Sequence, residues 1–131
     1  MTLTWVQNLN LGTVLLSGAG AWSGAVVSVS QAGVLGCTNA NVVCSGAVQA
    51  ARYNVRGTNN QLVFITAPNV TLTSANNPLD TLLLTVSNPG SVMLTNSGAP
   101  GNDFNLGGSI TVASTTADGV YSGTFNVTVD Y

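Results

Sequence analysis

Apolar side chains recur at every second residue through most of this chain, and nowhere do they hold the three-to-four spacing of an amphipathic helix. The closing stretch GVYSGTFNVTVDY is the clearest case: Phe125, Val127, Val129 and Tyr131 alternate with Asn126, Thr128 and Asp130. One side is apolar, the other polar, and the β-branched and aromatic residues suit a strand. Termini usually fray, whereas this one carries core-type side chains to its last residue.

The same spacing returns along the sequence. LTWVQNLNLGTVLL alternates Leu3, Trp5, Gln7, Leu9 and Leu11, then runs on through Val14 to Leu16. GAVVSVSQAGVLG follows a glycine-rich turn, SGAGAWSG. AVQAARYNVRG puts Val48, Ala50, Arg52, Asn54 and Arg56 on one face, with Ala47, Gln49, Ala51, Tyr53 and Val55 on the other. QLVFITAP, NVTLTS, DTLLLTVS, SVMLTNS and GGSITVAST come next, separated by NN, NNP, NPG and GAPGN turns. This pattern predicts one all-β domain over residues 1–131, an antiparallel immunoglobulin-like β-sandwich of about seven to nine strands. A chain of this length buries a real core unaided.

Charge narrows the function classes. Charged residues make up 5% of the chain, against about 25% in an average soluble domain. They are Arg52, Arg56, Asp80, Asp103, Asp118 and Asp130, with no Lys, Glu or His. A net charge of −2 with two cations offers no footprint for a phosphate backbone, so no nucleic-acid partner is expected. The apolar runs fall far short of a membrane span. Without His a Ser-His-Asp triad cannot be assembled, and the usual bases and Schiff-base lysines are missing. The four aspartates sit in turns or at strand ends, where capping is their expected role. Neither the aspartate spacing of a calcium loop nor a phosphate-binding glycine loop is present. No enzyme activity, metal or cofactor is expected.

Cys37 and Cys44 flank a short Asn-containing segment in LGCTNANVVCSG, which suits a turn that brings two strand ends within bridging distance. A disulfide there would add about 2.5 kcal/mol by chain entropy and would imply an oxidising compartment, the periplasm, cell surface or exterior. Two buried free thiols are the alternative. The opening MTLTWVQNLNLG has neither a charged stretch nor an apolar h-region, so an exported protein with this start is expected to be a processed or trimmed form. Trp5, Trp22, Tyr53, Tyr121 and Tyr131 either fill the core or line a sugar-stacking face. Arg52 and Arg56 share a strand face and are expected to reach for Asp130 or Asp118.

Four blocks carry a resemblance: LNLG at Leu9 to Gly12, AARYNVRG at Ala50 to Gly57, LGGSITV at Leu106 to Val112, and the closing GVYSGTFNVTVDY. In this order they resemble a family of small exported bacterial proteins catalogued as a domain of unknown function. That family is similar in layout to the spore-coat-U-like pilins of archaic chaperone-usher systems. Its members usually carry a signal peptide and a small-residue alternating segment before an LNFG-like block, whereas this sequence opens almost at that block, with Leu11 where Phe is common.

The resemblance implies a sandwich completed by a strand from a neighbouring subunit. Phe125, Val127, Val129, Tyr131, Leu3 and Trp5 would then belong to the groove, or to the core beside it, that receives the strand. It implies a structural subunit of an extracellular fibre, polymerising by donor-strand exchange, with copies of itself as partners and a periplasmic chaperone and usher as assembly factors. The other expectation is a self-contained secreted sandwich that binds carbohydrate or another surface ligand.

Overall fold

The structure is a computed structural model that describes residues 1–17 and 20–131. The turn expected at SGAGAWSG falls partly on residues 18 and 19, outside the described residues. The described chain contains no helix, and its strands pair antiparallel throughout. In chain order they are β1 (Thr2–Gln7), β2 (Thr13–Leu16), β3 (Ala25–Val29), β4 (Leu35–Gly36), β5 (Val42–Ser45) and β6 (Ala51–Arg56). There follow β7 (Leu62–Thr66), β8 (Val70–Ser74), β9 (Thr81–Ser87), β10 (Ser91–Met93), β11 (Asn102–Val112), β12 (Tyr121–Ser122) and β13 (Thr128–Asp130). The all-β antiparallel sandwich arrangement expected from the period of two is present, cut into thirteen segments because several strands are only two or three residues long.

An eight-stranded sheet runs β1-β6-β11-β9-β8-β12, with β3 also paired to β11 and β4 to β3. Opposite it lie a three-stranded sheet, β10-β7-β13, and a two-stranded one, β2-β5. The organising strand is β11. Its first half, Asn102 to Leu106, pairs with β6, and its second half, Gly108 to Val112, pairs with β3. Gly107 to Ser109 also pairs with β9.

Two apolar clusters sit on this shared strand. In one, Val27, Val42, Leu84, Ile110 and Val112 are buried between the large sheet and β2-β5. In the other, Ala51, Tyr53 and Val55 of β6 meet Val63 and Ile65 of β7 with Leu94, Phe104 and Leu106. Tyr53 and Phe104 stack, ring centroids 5.6 Å apart. Val27, Val55, Val63, Leu94 and Leu106 are wholly buried, each a gain of about 1.5–3 kcal/mol over leaving the side chain in water. The expected faces of AVQAARYNVRG hold over β6, where Tyr53 and Val55 point inward while Arg52 and Asn54 point out, half-covered.

Cys37, just past β4, and Cys44, in β5, are joined by a disulfide with Cα atoms 6.4 Å apart. Both cysteines pack against the first cluster, and the bridge ties β5, and β2 through it, to the β3-β4 edge.

The closing segment departs from a single continuous strand. β12 pairs with β8 in the large sheet and β13 with β7 in the small one, so Gly123 to Val127 crosses between sheets without a ladder of its own. Alternation survives the crossing because Phe125 and Val127 still turn toward the core. The crossing begins at Gly123, where a Cβ would stand 2.7 Å from Val70 Cγ1 and 2.9 Å from Leu72 Cδ2. Only glycine lets the backbone pass that close.

Candidate functional site

Two strands end their sheets on the same side of the sandwich. β1 is bonded along one side to β6, β13 along one side to β7, and neither forms a second ladder among the described residues. In the three-stranded sheet β10 lies nearest β11. That stacks β7 over β6 and leaves β13 on the β1 side.

Register shows what the seam exposes. Leu3 is paired with Val55 and Trp5 with Tyr53, and residues directly opposite across a ladder share a face. Val55 and Tyr53 are core, so Leu3 and Trp5 turn toward the interior as well. Tyr53 is 9% exposed, yet Trp5 is 57% exposed. The small sheet covers β6 and stops short of β1. A bulge between Trp5 and Gln7 shifts the register, so that Gln7 pairs with Arg52, and Val6 within the bulge is exposed. The Trp5 indole Nε1 donates to Asn8 Oδ1 at 3.0 Å, satisfying its one polar atom locally.

From the other side the seam is lined by Val127 and Val129, half-buried against the second cluster, and by Phe125, which touches both clusters. Tyr131 stands at the end, half-exposed. Its hydroxyl accepts the Thr58 N–H at 2.9 Å and lies near Thr58 Oγ1 at 3.3 Å. The side-chain hydrogen bond to Thr58, then the backbone one, hold its pKa below the ordinary tyrosine value. This contact needs Gly57, because a Cβ there would come within 2.6 Å of the Tyr131 hydroxyl oxygen and 2.9 Å of Leu94 Cδ1.

Leu3, Phe125, Val127 and Val129 are thus brought onto one cluster, with Trp5 and Tyr131 at its margins. Val63, Ile65 and Leu94 form the floor and were not singled out from the sequence. Leu94 continues the alternation of Val92 past the end of β10, which is the signal that could have found it. The Val6 bulge has no such signal.

Chemically the seam offers backbone donors and acceptors on two edges that form no second ladder among the described residues, with apolar positions between them. Among the described residues no three His, Cys, Asp or Glu side chains gather as metal ligands. No described helix is long and apolar enough to cross a membrane.

Elsewhere the candidates disperse. The five aromatics do not form one face: Tyr53 is buried, Trp22 packs on the first cluster, and Tyr121 lies there too with its hydroxyl donating to Ala117 O at 2.8 Å. Burial raises the pKa of both Tyr53 and Tyr121, Asp80 and Asp118 adding to the effect at Tyr121. Arg52 does not reach Asp130 or Asp118. Its Nε donates to Asn105 Oδ1 at 3.3 Å, on the adjacent strand of the same sheet.

No curated protein and no solved structure matches this chain. A family model does, over residues 1–131, a span that includes the four blocks noted in the sequence. The chain therefore belongs to the family described as Domain of unknown function (DUF4402).

Proposed function

We propose that this protein is a structural subunit of an extracellular bacterial fibre or surface assembly, and that its copies join by strand exchange at the seam between β1 and β13. One observation carries the reading: Trp5 lies on the interior face of β1 by register and is nevertheless 57% exposed. A large aromatic aimed at a core that does not cover it marks a place where a further strand fits. An extended segment of a neighbouring copy would bond to a free edge and set alternate apolar side chains between Leu3, Trp5, Val127 and Val129. Repeated head to tail, that contact builds an open filament. The Cys37–Cys44 disulfide agrees with life outside the cytoplasm, where the pilin resemblance would supply a periplasmic chaperone and usher. Nothing in this role calls for a catalytic group or cofactor.

Electron microscopy of the native material tests the class, with filaments of short axial repeat expected; uniformly monomeric particles at high concentration would overturn it. Val129→Asp tests the site. It puts a charge on a half-buried seam position, so assembly is expected to stop while the monomer loses about 1–3 kcal/mol in denaturant unfolding. Filaments persisting at wild-type yield would exclude the seam.

A self-contained sandwich binding carbohydrate is the second reading, and the depression described next favours it.

A further inference from the structure

Away from the seam, an open depression of about 680 Å³ lies beside the first half of β11, walled by the β9–β10 turn and the β3–β4 turn. That volume falls within the range of roughly 300–1,000 Å³ usual for small-ligand sites. It holds one of the chain's two cations, Arg52, which is half-buried. Asn105 grips Arg52 at Nε and is itself held, its Nδ2 donating to Gln31 O at 2.9 Å. The guanidinium is therefore oriented from behind. Its two terminal nitrogens have no hydrogen-bond partner among the described residues.

An oriented, unpaired guanidinium fork matches a carboxylate, which it can bind through two parallel hydrogen bonds. The rest of the wall narrows the ligand. Asp103 accepts from Asn54 Nδ2 at 2.9 Å through Oδ1, which leaves Oδ2 as an acceptor for a hydroxyl. Ser91 adds a hydroxyl of its own, and Pro89 and Val92 give an apolar wall for the C–H face of a sugar ring. Asp103 also repels a second negative charge, so a single carboxylate surrounded by hydroxyls fits better than a run of acids. We infer that this depression binds an acidic sugar of the uronate class, its carboxylate on Arg52 and its ring hydroxyls on Asp103 and Ser91. This inference does not depend on strand exchange, since none of these residues lies on the seam.

The test is nuclear magnetic resonance titration of the whole chain with D-galacturonate, D-galactose and N-acetylaspartate. Galacturonate is expected to shift the amides of Arg52, Ser91, Asp103 and Asn105, with galactose binding about tenfold or more weakly. Arg52→Gln and Arg52→Lys should each weaken galacturonate by about tenfold, the lysine because it keeps the charge and loses the fork. Arg56→Gln makes the same charge change on the exposed neighbour and should leave binding intact. Equal binding to wild type and to a folded Arg52→Lys variant would overturn the site. N-acetylaspartate binding as tightly as galacturonate, or galacturonate shifting none of the four amides, would overturn the sugar assignment.

Discussion

The two halves of the sandwich are closed by different means. Around Val27, Ile110 and Val112 the cover is β2-β5, and a disulfide fastens it to the neighbouring edge. Around Val55, Leu94 and Leu106 the cover is β10-β7-β13, which no covalent link holds and which reaches Leu3 of β1 but leaves Trp5 on the same inner face largely uncovered. The deep positions of the two halves are alike, with side chains fully buried in each. The halves differ at the margin. One margin is fixed by a covalent bond, whereas the other leaves an indole in water, and it is there that the proposed strand from a neighbouring copy would sit.

The largest expected effect tests the similarity of the two interiors. Leu106→Ala removes a wholly buried side chain and should cost about 2–5 kcal/mol in urea unfolding. A cost near zero would mean that the second cluster is loosely packed and that the contrast lies in the interior.

Next comes the margin held by the bridge. Cys37→Ser with Cys44→Ser should lower stability by about 2.5 kcal/mol. Because the bridge belongs to the first half, hydrogen exchange should speed up most in β2 and β5, with β6 and β7 little changed; uniform acceleration would erase the distinction.

Trp5→Ala sharpens the comparison from the open side. Its indole is already more exposed than covered in the monomer, so the monomer's unfolding free energy should change by no more than about 0.5 kcal/mol. Assembly, in contrast, should fall sharply, read as loss of filaments. A large monomer destabilisation with assembly intact would make Trp5 a core residue and close the seam.

The smallest effect is ionic. Tyr131 should ionise before Tyr53 and Tyr121 in an alkaline absorbance titration, since Thr58 lowers its pKa while burial raises theirs. The signs oppose in stability. Tyr131 contributes above the unfolded tyrosine pKa of about 10 and loses that contribution as pH falls through its lowered value. Tyr53 and Tyr121 contribute fully below about 10 and lose that contribution as pH rises through their raised values. Replacing Thr58 with Val should bring Tyr131 back toward its ordinary range through loss of the side-chain contact.

Much of this architecture was legible because strands advertise themselves by alternation. The faces of β6 and the inward set Phe125, Val127 and Val129 follow from period two alone. For Cys37 and Cys44 turn chemistry allowed a bridge beside the alternative of two free thiols, and the structure has the bridge. What could not be read was which strand each one pairs with. Trp5 and Tyr53 alternate equally well, and only the position of β1 at the end of its sheet leaves one wet and the other dry. The crossing at Gly123 to Val127 was hidden for the same reason, since side-chain direction persists there after the ladder has gone. Arg52 was misassigned to distant aspartates because the neighbour that captures it, Asn105, carries no charge.

The eleven residues of β11 run without a break through both halves. Antiparallel neighbours flank it: β6 along its first part, β3 along its second, and β9 across the middle. Neither half can swing on the other without bending or unzipping that strand, so β11 itself offers no hinge between them. Force applied to β1 would reach β11 only through β6, and there it would meet hydrogen bonds to β6, β9 and β3 spread along one continuous strand.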